Sequence, residues 1–172
     1  KIKNQNITFV LGYTKKLPNK FLISNKMVLI IHESNLPKGK GFSPIQWQLL
    51  KNKKKIKTCL FAATNFLDSG DIIHKDTIMF KGTELYDEIR EKQAISSINL
   101  INKFLKTYPN IKRNKQTGIS TFYRRRTPED SRININMSIK KQFNKFRIVN
   151  NDEWPAFFIY KNQKYILKIF RK

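Results

Sequence analysis

The sequence predicts an α/β fold, and three observations predict it. Ile7–Tyr13, Met27–Ile31 and Lys57–Ala63 are short apolar runs with little alternation, as expected of strands covered on both faces. Leu85, Ile89, Ala94, Ile95, Ile98, Ile101 and Leu105 recur at helical spacing. Between the second and third runs lies a polar cluster, then a Gly/Pro loop, then a helix start, the order in which α/β proteins present chemistry at the carboxyl ends of strands.

Taken in order, Ile7–Tyr13 is the first strand and is stopped by Lys15–Asn19, with Phe21–Ile23 on a short helix. Met27–Ile31 is a second strand, expected to be parallel, and it delivers His32 to its end. After the loop, Ser43 reads as N-cap and Pro44 as first helical residue, with Ile45, Trp47, Leu49 and Leu50 as the apolar positions. Lys57–Ala63 is a third strand, Asp68–Gly70 a turn, and Asp71–Ile78 a more exposed, alternating strand carrying His74. A long helix is expected to open at Gly82-Thr83 and to break at Tyr108–Asn110. The stretch 111–130 is basic and aromatic without periodicity and is expected to lie against the site. A helix over about 137–146 and a hairpin over 156–169 close the chain. The organisation expected is a core over 1–110, a connecting segment over 111–136 and a small helix and hairpin unit over 137–172.

The 172 residues suit one core of ordinary size. Thirty-five Lys and Arg against twelve Asp and Glu give a formal charge of +23, the signature of a polyanion partner. Lys far outnumbers Arg, however, and is abundant together with Asn and Ile, which coding bias produces unaided. The basic residues are scattered except at Lys51–Lys55 and Arg124–Arg126. A phosphate-bearing ligand is therefore preferred to nucleic acid as the expected partner, although the charge leaves nucleic acid open. Cys59 is the single cysteine, so disulfide and cysteine-metal frameworks are out, and it reads as core filler. No metal site is expected. No apolar run approaches ~18 residues and the start is not a signal peptide, so a cytoplasmic protein with no membrane insertion is expected. The first residue is not Met and a strand follows almost at once, which reads as a chain missing its beginning.

A strand-end histidine and a turn aspartate form a possible acid/base pair, since a carboxylate orients an imidazole and raises its basicity. His32 and Asp68 are the candidates, although sequence puts no bound on their separation. Arg124, Arg125 and Arg126 read either as a solvated basic loop or as holders of phosphate oxygens, with Tyr123 beside them able to stack on a base. Trp47 and Trp154 read as core.

His32-Glu33-Ser34-Asn35-Leu36-Pro37 through Gly41, Pro44 and Trp47, followed by Asp68-Ser69-Gly70-Asp71-Ile72, resembles the signature of the 10-formyltetrahydrofolate-dependent formyltransferases. In that family a His-x-Ser-Leu-Leu-Pro loop and an Asp-x-Gly turn flank the formyl donor. The likeness continues through Leu85–Ile89, Tyr123–Asp130 and Trp154–Phe157, and is nearest to the small sugar N-formyltransferases. It implies a partial Rossmann-like formyltransferase sheet with flanking helices, a C-terminal helix and hairpin subdomain, and an absent N-terminal βαβ segment. It also implies formyl transfer from 10-formyltetrahydrofolate to the amine of a nucleotide-linked amino sugar, as in glycan biosynthesis, and leaves room for a homodimer. His32 would assist the tetrahedral intermediate or the proton transfer, with Asp68 as base or partner. Ser34, Leu36, Pro37 and Gly41 would shape the folate loop, with Gly12, Tyr13, Leu17 and Pro18 on the pterin side. Tyr123 and Arg124–Arg126 would hold the nucleotide sugar.

One position departs from the family's pattern. An Asn is expected two residues before the His, and Ile30 stands there, unable to donate to an oxyanion. Two other readings stand beside the sugar enzyme. One is a methionyl-tRNA formyltransferase-like activity, disfavoured because only a helix and a hairpin follow the connecting segment where that enzyme carries a barrel. The other is a catalytically silent relative that binds folate, nucleotide or an acidic partner.

Overall fold

A computed structural model describes residues 2–172. Its centre is a four-stranded sheet in the order β1 (Thr8–Val10), β2 (Val28–His32), β4 (Lys55–Ala62), β5 (Ile72–Met79). β1 and β2 are parallel, whereas β4 is antiparallel to both β2 and β5. The expectation of a parallel β2 thus holds on one edge only. Between β2 and β4 the chain makes β3 (Lys40–Gly41) and α2 (Pro44–Leu50), and seven helical residues rise only about 10 Å. That is too short to carry the chain back to the start of β2, so β4 starts beyond the end of β2 and runs the other way, with Cys59 in its middle pairing with His32.

Alternation along β2 sorts its side chains. Leu29 and Ile31 point to one face, where they pack with Leu60, Ile73, Leu100 and Phe104 under α3 (Tyr86–Thr107). Ile30 and His32 point to the other, above Leu36, Cys59, Phe61 and Ile72. Cys59 is buried filler, as its composition context implied: burial pushes its thiol up and its S–H reaches only the Ser34 carbonyl.

Expectations are corrected at the start of the long helix and in the core, while the N-cap expected at Ser43 holds. α3 opens at Tyr86 and not at Gly82, because Lys81 and Gly82 give their N–H groups to the Glu84 carboxylate and turn the chain before the helix begins. Ser43 does stand at the N-cap of α2 but lies at φ +50° and makes no capping bond. Trp154 is 56% exposed, and Trp47 is half-buried with its indole N–H on the Arg124 carbonyl, so neither is a core residue.

The short helix α1 (Asn19–Ile23) precedes β2, and the connecting segment contributes β6 (Phe122–Tyr123) and a 3-10 turn at Pro128–Ser131. The chain ends in α4 (Ile139–Arg147) and the hairpin β7 (Ala156–Tyr160) and β8 (Gln163–Leu167). Lys161 and Asn162 both have positive φ, as a two-residue turn between twisted strands requires. This end has no core of its own. Phe146, Ile148, Val149 and Ala156 share one apolar cluster with Ile45 of α2, Ile56 of β4, Ile78 of β5 and Ile89 of α3.

Candidate active site

β2 ends by placing His32 on the sheet face opposite α3, 6% exposed. The loop 63–71 leaves β4 and folds back over that same face, bringing Asp68 Oδ2 to 3.7 Å from His32 Nδ1. Gly70 makes the fold-back possible: a Cβ there would sit 1.6 Å from the Ala62 carbonyl oxygen. The loop 33–43 closes the other side. The His32 Nε2 lies 2.7 Å from the Gly39 carbonyl oxygen, and the Gly41 N–H donates to Asp68 Oδ2 at 2.8 Å. Gly41 is likewise required, since a Cβ would meet the Tyr123 carbonyl at 2.4 Å and φ is +96°.

These contacts fix the tautomer. A carbonyl only accepts, so in the neutral ring Nε2 carries the proton and Nδ1 keeps its lone pair. Nδ1 therefore faces Asp68 as an acceptor, and both residues line a cavity of about 250 Å³. A proton taken there would make an imidazolium beside a carboxylate, the favourable direction for a general base. Asp68 is 7% exposed; its carboxylate accepts the Gly41 backbone N–H and its carbonyl accepts from the Gln116 side-chain amide.

The cavity wall joins residues far apart in sequence. Val10, Gly12, Tyr13 and Leu17 come from the end of β1, Ile30 from β2, Phe42 from the loop and Phe66 and Leu67 from the fold-back. Lys15, Lys16, Arg90 and Arg125 also line it. Apolar walls with cations among them suit a flat heteroaromatic group that carries anionic substituents. Ile30 lies where the family's Asn is expected, two residues before His32 and on the same face, and contributes only hydrocarbon.

Of the residues expected from sequence, Gly12, Tyr13, Leu17, Gly41, Arg125, His32 and Asp68 come together around this cavity. The others do not line it. Pro18 precedes α1 as its N-cap. Ser34 is buried and Leu36 drops into the apolar cluster with Cys59 and Phe61, because the loop turns them under itself; Leu36 and Pro37 border a second cavity of about 460 Å³ on the far side of the loop. Tyr123 belongs to β6, which pairs with β3, and its ring lies against Gly39 beneath the Lys51 ammonium. Arg124 is engaged by both Asp130 carboxylate oxygens and stacks on Trp47, and the bonds from Arg124 help bring the Asp130 carboxyl down to about 2. Arg126 is half-buried and its bond is to Ser131. Only Arg125 reaches the cavity, its guanidinium 4.1 Å from the centre of the Phe42 ring and bonded to the Thr14 carbonyl.

Sequence reasoning missed Lys40, Gln116 and Thr121. Lys40 is buried and donates to Ser69 Oγ at 2.8 Å. Gln116 and Thr121 bond to the Asp68 turn and the Gly39 turn. No periodicity marks these three, because their partners are loop groups far away in sequence, the Ser69 hydroxyl for Lys40 and backbone groups for Gln116 and Thr121.

Among the described residues no helix is long and apolar enough to cross a membrane, and no group of three or more His, Cys, Asp or Glu is placed to hold a metal. An imidazole and a carboxylate buried together beside a mixed apolar and cationic cavity on an α/β sheet is an arrangement suited to acid/base chemistry. A family model described as formyl transferase matches residues 2–103, and the chain belongs to that family. The methionyl-tRNA formyltransferase of Rickettsia massiliae is 30% identical over 168 residues, covering 96% of this chain and 55% of its own length. The chain thus spans about half of that curated relative. The structure of the methionyl-tRNA formyltransferase from Clostridium thermocellum superposes with a TM-score of 0.80 at 22% identity, over 94% of this chain and 70% of that one. A sugar N-formyltransferase from Shewanella sp FDAARGOS_354 gives 0.76 at 10% identity, over 97% and 70%. Because the chain covers 55% of the Rickettsia massiliae relative, the helix and hairpin after the connecting segment carry no weight against a methionyl-tRNA acceptor.

Proposed function

We propose that this chain moves a formyl group from 10-formyltetrahydrofolate to the amine of a nucleotide-linked amino sugar. The observation that carries the reading is the His32 ring, whose Nε2 is committed to Gly39 and whose Nδ1 is left to accept a proton at the cavity beside Asp68. When bound, the folate supplies an activated formyl group. The chain's own residues do the rest: as the amine bonds to the formyl carbon Nδ1 takes the proton it must lose, Asp68 balances the charge gained, and Nδ1 would return that proton to the folate nitrogen as its bond to the formyl carbon breaks. The wall from Gly12 to Leu17, with Phe66 and Leu67, fits the pterin side. Arg125 and the lysines at 15 and 16 favour the phosphates of the acceptor.

A methionyl-tRNA acceptor is the second reading, favoured by the +23 charge and by the 30% identity to the Rickettsia massiliae enzyme. Purified protein supplied with 10-formyltetrahydrofolate is expected to formylate members of a panel of nucleotide amino sugars and to leave charged initiator tRNA untouched. Product on tRNA alone, with binding that weakens steeply with salt, selects the second reading. No product on either rejects transfer and leaves a silent binder. Within the sugar reading, Arg125→Ala raises the acceptor KM about tenfold, the loss of one guanidinium–phosphate contact, while Arg124→Ala, whose guanidinium is spent on Asp130, leaves KM alone.

A further inference from the structure

Asp68 sits at φ +47°, a region that residues other than glycine rarely hold unaided. Its turn is pinned on one side by the approach of Gly70 to Ala62. On the other side the Gln116 amide holds its backbone, donating one hydrogen to the Asp68 carbonyl and the other to the Gly70 carbonyl, each at 2.9 Å, while Lys40 holds the Ser69 hydroxyl. The amide is turned so completely to this task that its own Oε1 is buried without a partner. Two carbonyls accepting side by side leave no other orientation for it.

Five residues on, the same segment holds the other half of the pair. Thr121 Oγ1 accepts the Gly39 N–H at 2.8 Å, and the Thr121 carbonyl accepts the Lys40 N–H at 2.9 Å. The Lys40 N–H and the Gly39 carbonyl share one peptide plane, and that carbonyl is the acceptor for His32 Nε2. Thr121 thereby orients the group that sets the His32 tautomer. The segment is anchored on β5 by two reciprocal backbone bonds between Asn114 and Ile72. Apart from the half-buried Gln116, residues 113–122 are exposed, so hydrogen bonds and not burial join this stretch to the site.

We infer that residues 114–121 act as a clamp that positions the catalytic pair, with Gln116 as the positioning residue for Asp68 and Thr121 as the positioning residue for His32. Neither touches the cavity through its own function; each acts through a loop carbonyl or amide. The kinetic half of the test rests on the formyl-transfer reading, and the spectroscopic half does not.

Gln116→Met and Thr121→Val keep the side-chain volumes and delete the side-chain bonds, the second leaving in place the Lys40 N–H bond to the backbone carbonyl of residue 121. Each is expected to lower kcat about tenfold, the scale of a small misplacement of reacting groups, with both KM values within about twofold. Ring-nitrogen NMR reads the pair directly. The chain has two histidines, so a His74→Gln background leaves His32 as the one imidazole. The parent shows the Nε2–H form; Thr121→Val mixes in the Nδ1–H form, and Gln116→Met moves the Nδ1 resonance as Asp68 shifts. Thr121→Ser, which restores the hydroxyl, returns both kcat and spectrum to the parent's, and it keeps the test valid if Thr121→Val fails to fold.

Unchanged ring resonances in Gln116→Met and Thr121→Val overturn the clamp. So do altered resonances with full kcat in a parent that turns over. Altered resonances in a parent that makes no formyl product reject the formyl-transfer reading and uphold the clamp.

Discussion

Two buried acid–base pairs in this molecule are built in opposite ways. Glu84 and Arg147, 3% and 2% exposed, are saturated. The Glu84 carboxylate accepts from the Lys81 and Gly82 N–H groups and from Arg147, while Arg147 also donates to the Glu84 carbonyl and to Asn144. His32 and Asp68 are as deeply set but stand 3.7 Å apart, with one ring nitrogen uncommitted and a cavity lined by both. The first pair has no capacity left and ties α4 to the start of α3. The second keeps one acceptor free, and a free acceptor in a buried site is where a proton can go. Burial alone therefore does not distinguish architecture from chemistry; the remaining hydrogen-bonding capacity does.

The comparison can be broken at its structural end first. Arg147→Ala leaves the Glu84 charge buried without its guanidinium and is expected to cost about 3–5 kcal/mol in urea unfolding, whereas replacing both partners by Gln and Met costs less. The same pair governs acid stability. Burial works to raise the Glu84 carboxyl, but the backbone N–H groups at 81, 82 and 84 and the Lys92 ammonium outweigh it and bring it from 4.5 to about 2. A depressed carboxyl contributes its stability above the unfolded value and loses it as pH falls through the folded one. Roughly 3 kcal/mol is thus expected to disappear between about pH 4.5 and 2, and Glu84→Gln flattens that limb of the curve.

The candidate site gives effects of a different kind. His32→Ala and Asp68→Asn are each expected to lower kcat at least ~100-fold, the usual loss of a positioned acid/base group, with unfolding midpoints shifted less than by Arg147→Ala. Full turnover in either variant removes that residue from the reaction. The smallest expected effect has the opposite sign. Ile30→Asn supplies a donor on the cavity wall two residues before His32 and is expected to raise kcat about tenfold, while a lower melting temperature records the polar group pushed against Leu36 and Phe61. An unchanged or lower kcat in folded protein shows that transfer here proceeds without a donor at that position.

Much of this was legible in the chain. The apolar runs of β1, β2 and β4 and the stripe of α3 declare themselves because burial of a strand or a helix face imposes a period on the sequence. His32, Asp68, Gly41 and Gly70 are legible as a motif because strand ends and tight turns demand particular residues at fixed offsets. The arginine run was not legible in detail. Three adjacent guanidiniums look equal in sequence, but β6 pairing with β3 and the carboxylate of Asp130 sent Arg124 and Arg126 away from the cavity and Arg125 into it.

What the sequence by itself determined is the set of elements and the residues that carry charge or a proton, since periodicity and residue chemistry are local properties. The tertiary structure decided which of those residues meet. The reversal of β4, the return of the 63–71 loop over β2 and the reach of Gln116 and Thr121 are contacts between backbone groups far apart in the chain, and backbone groups leave no mark in the order of side chains.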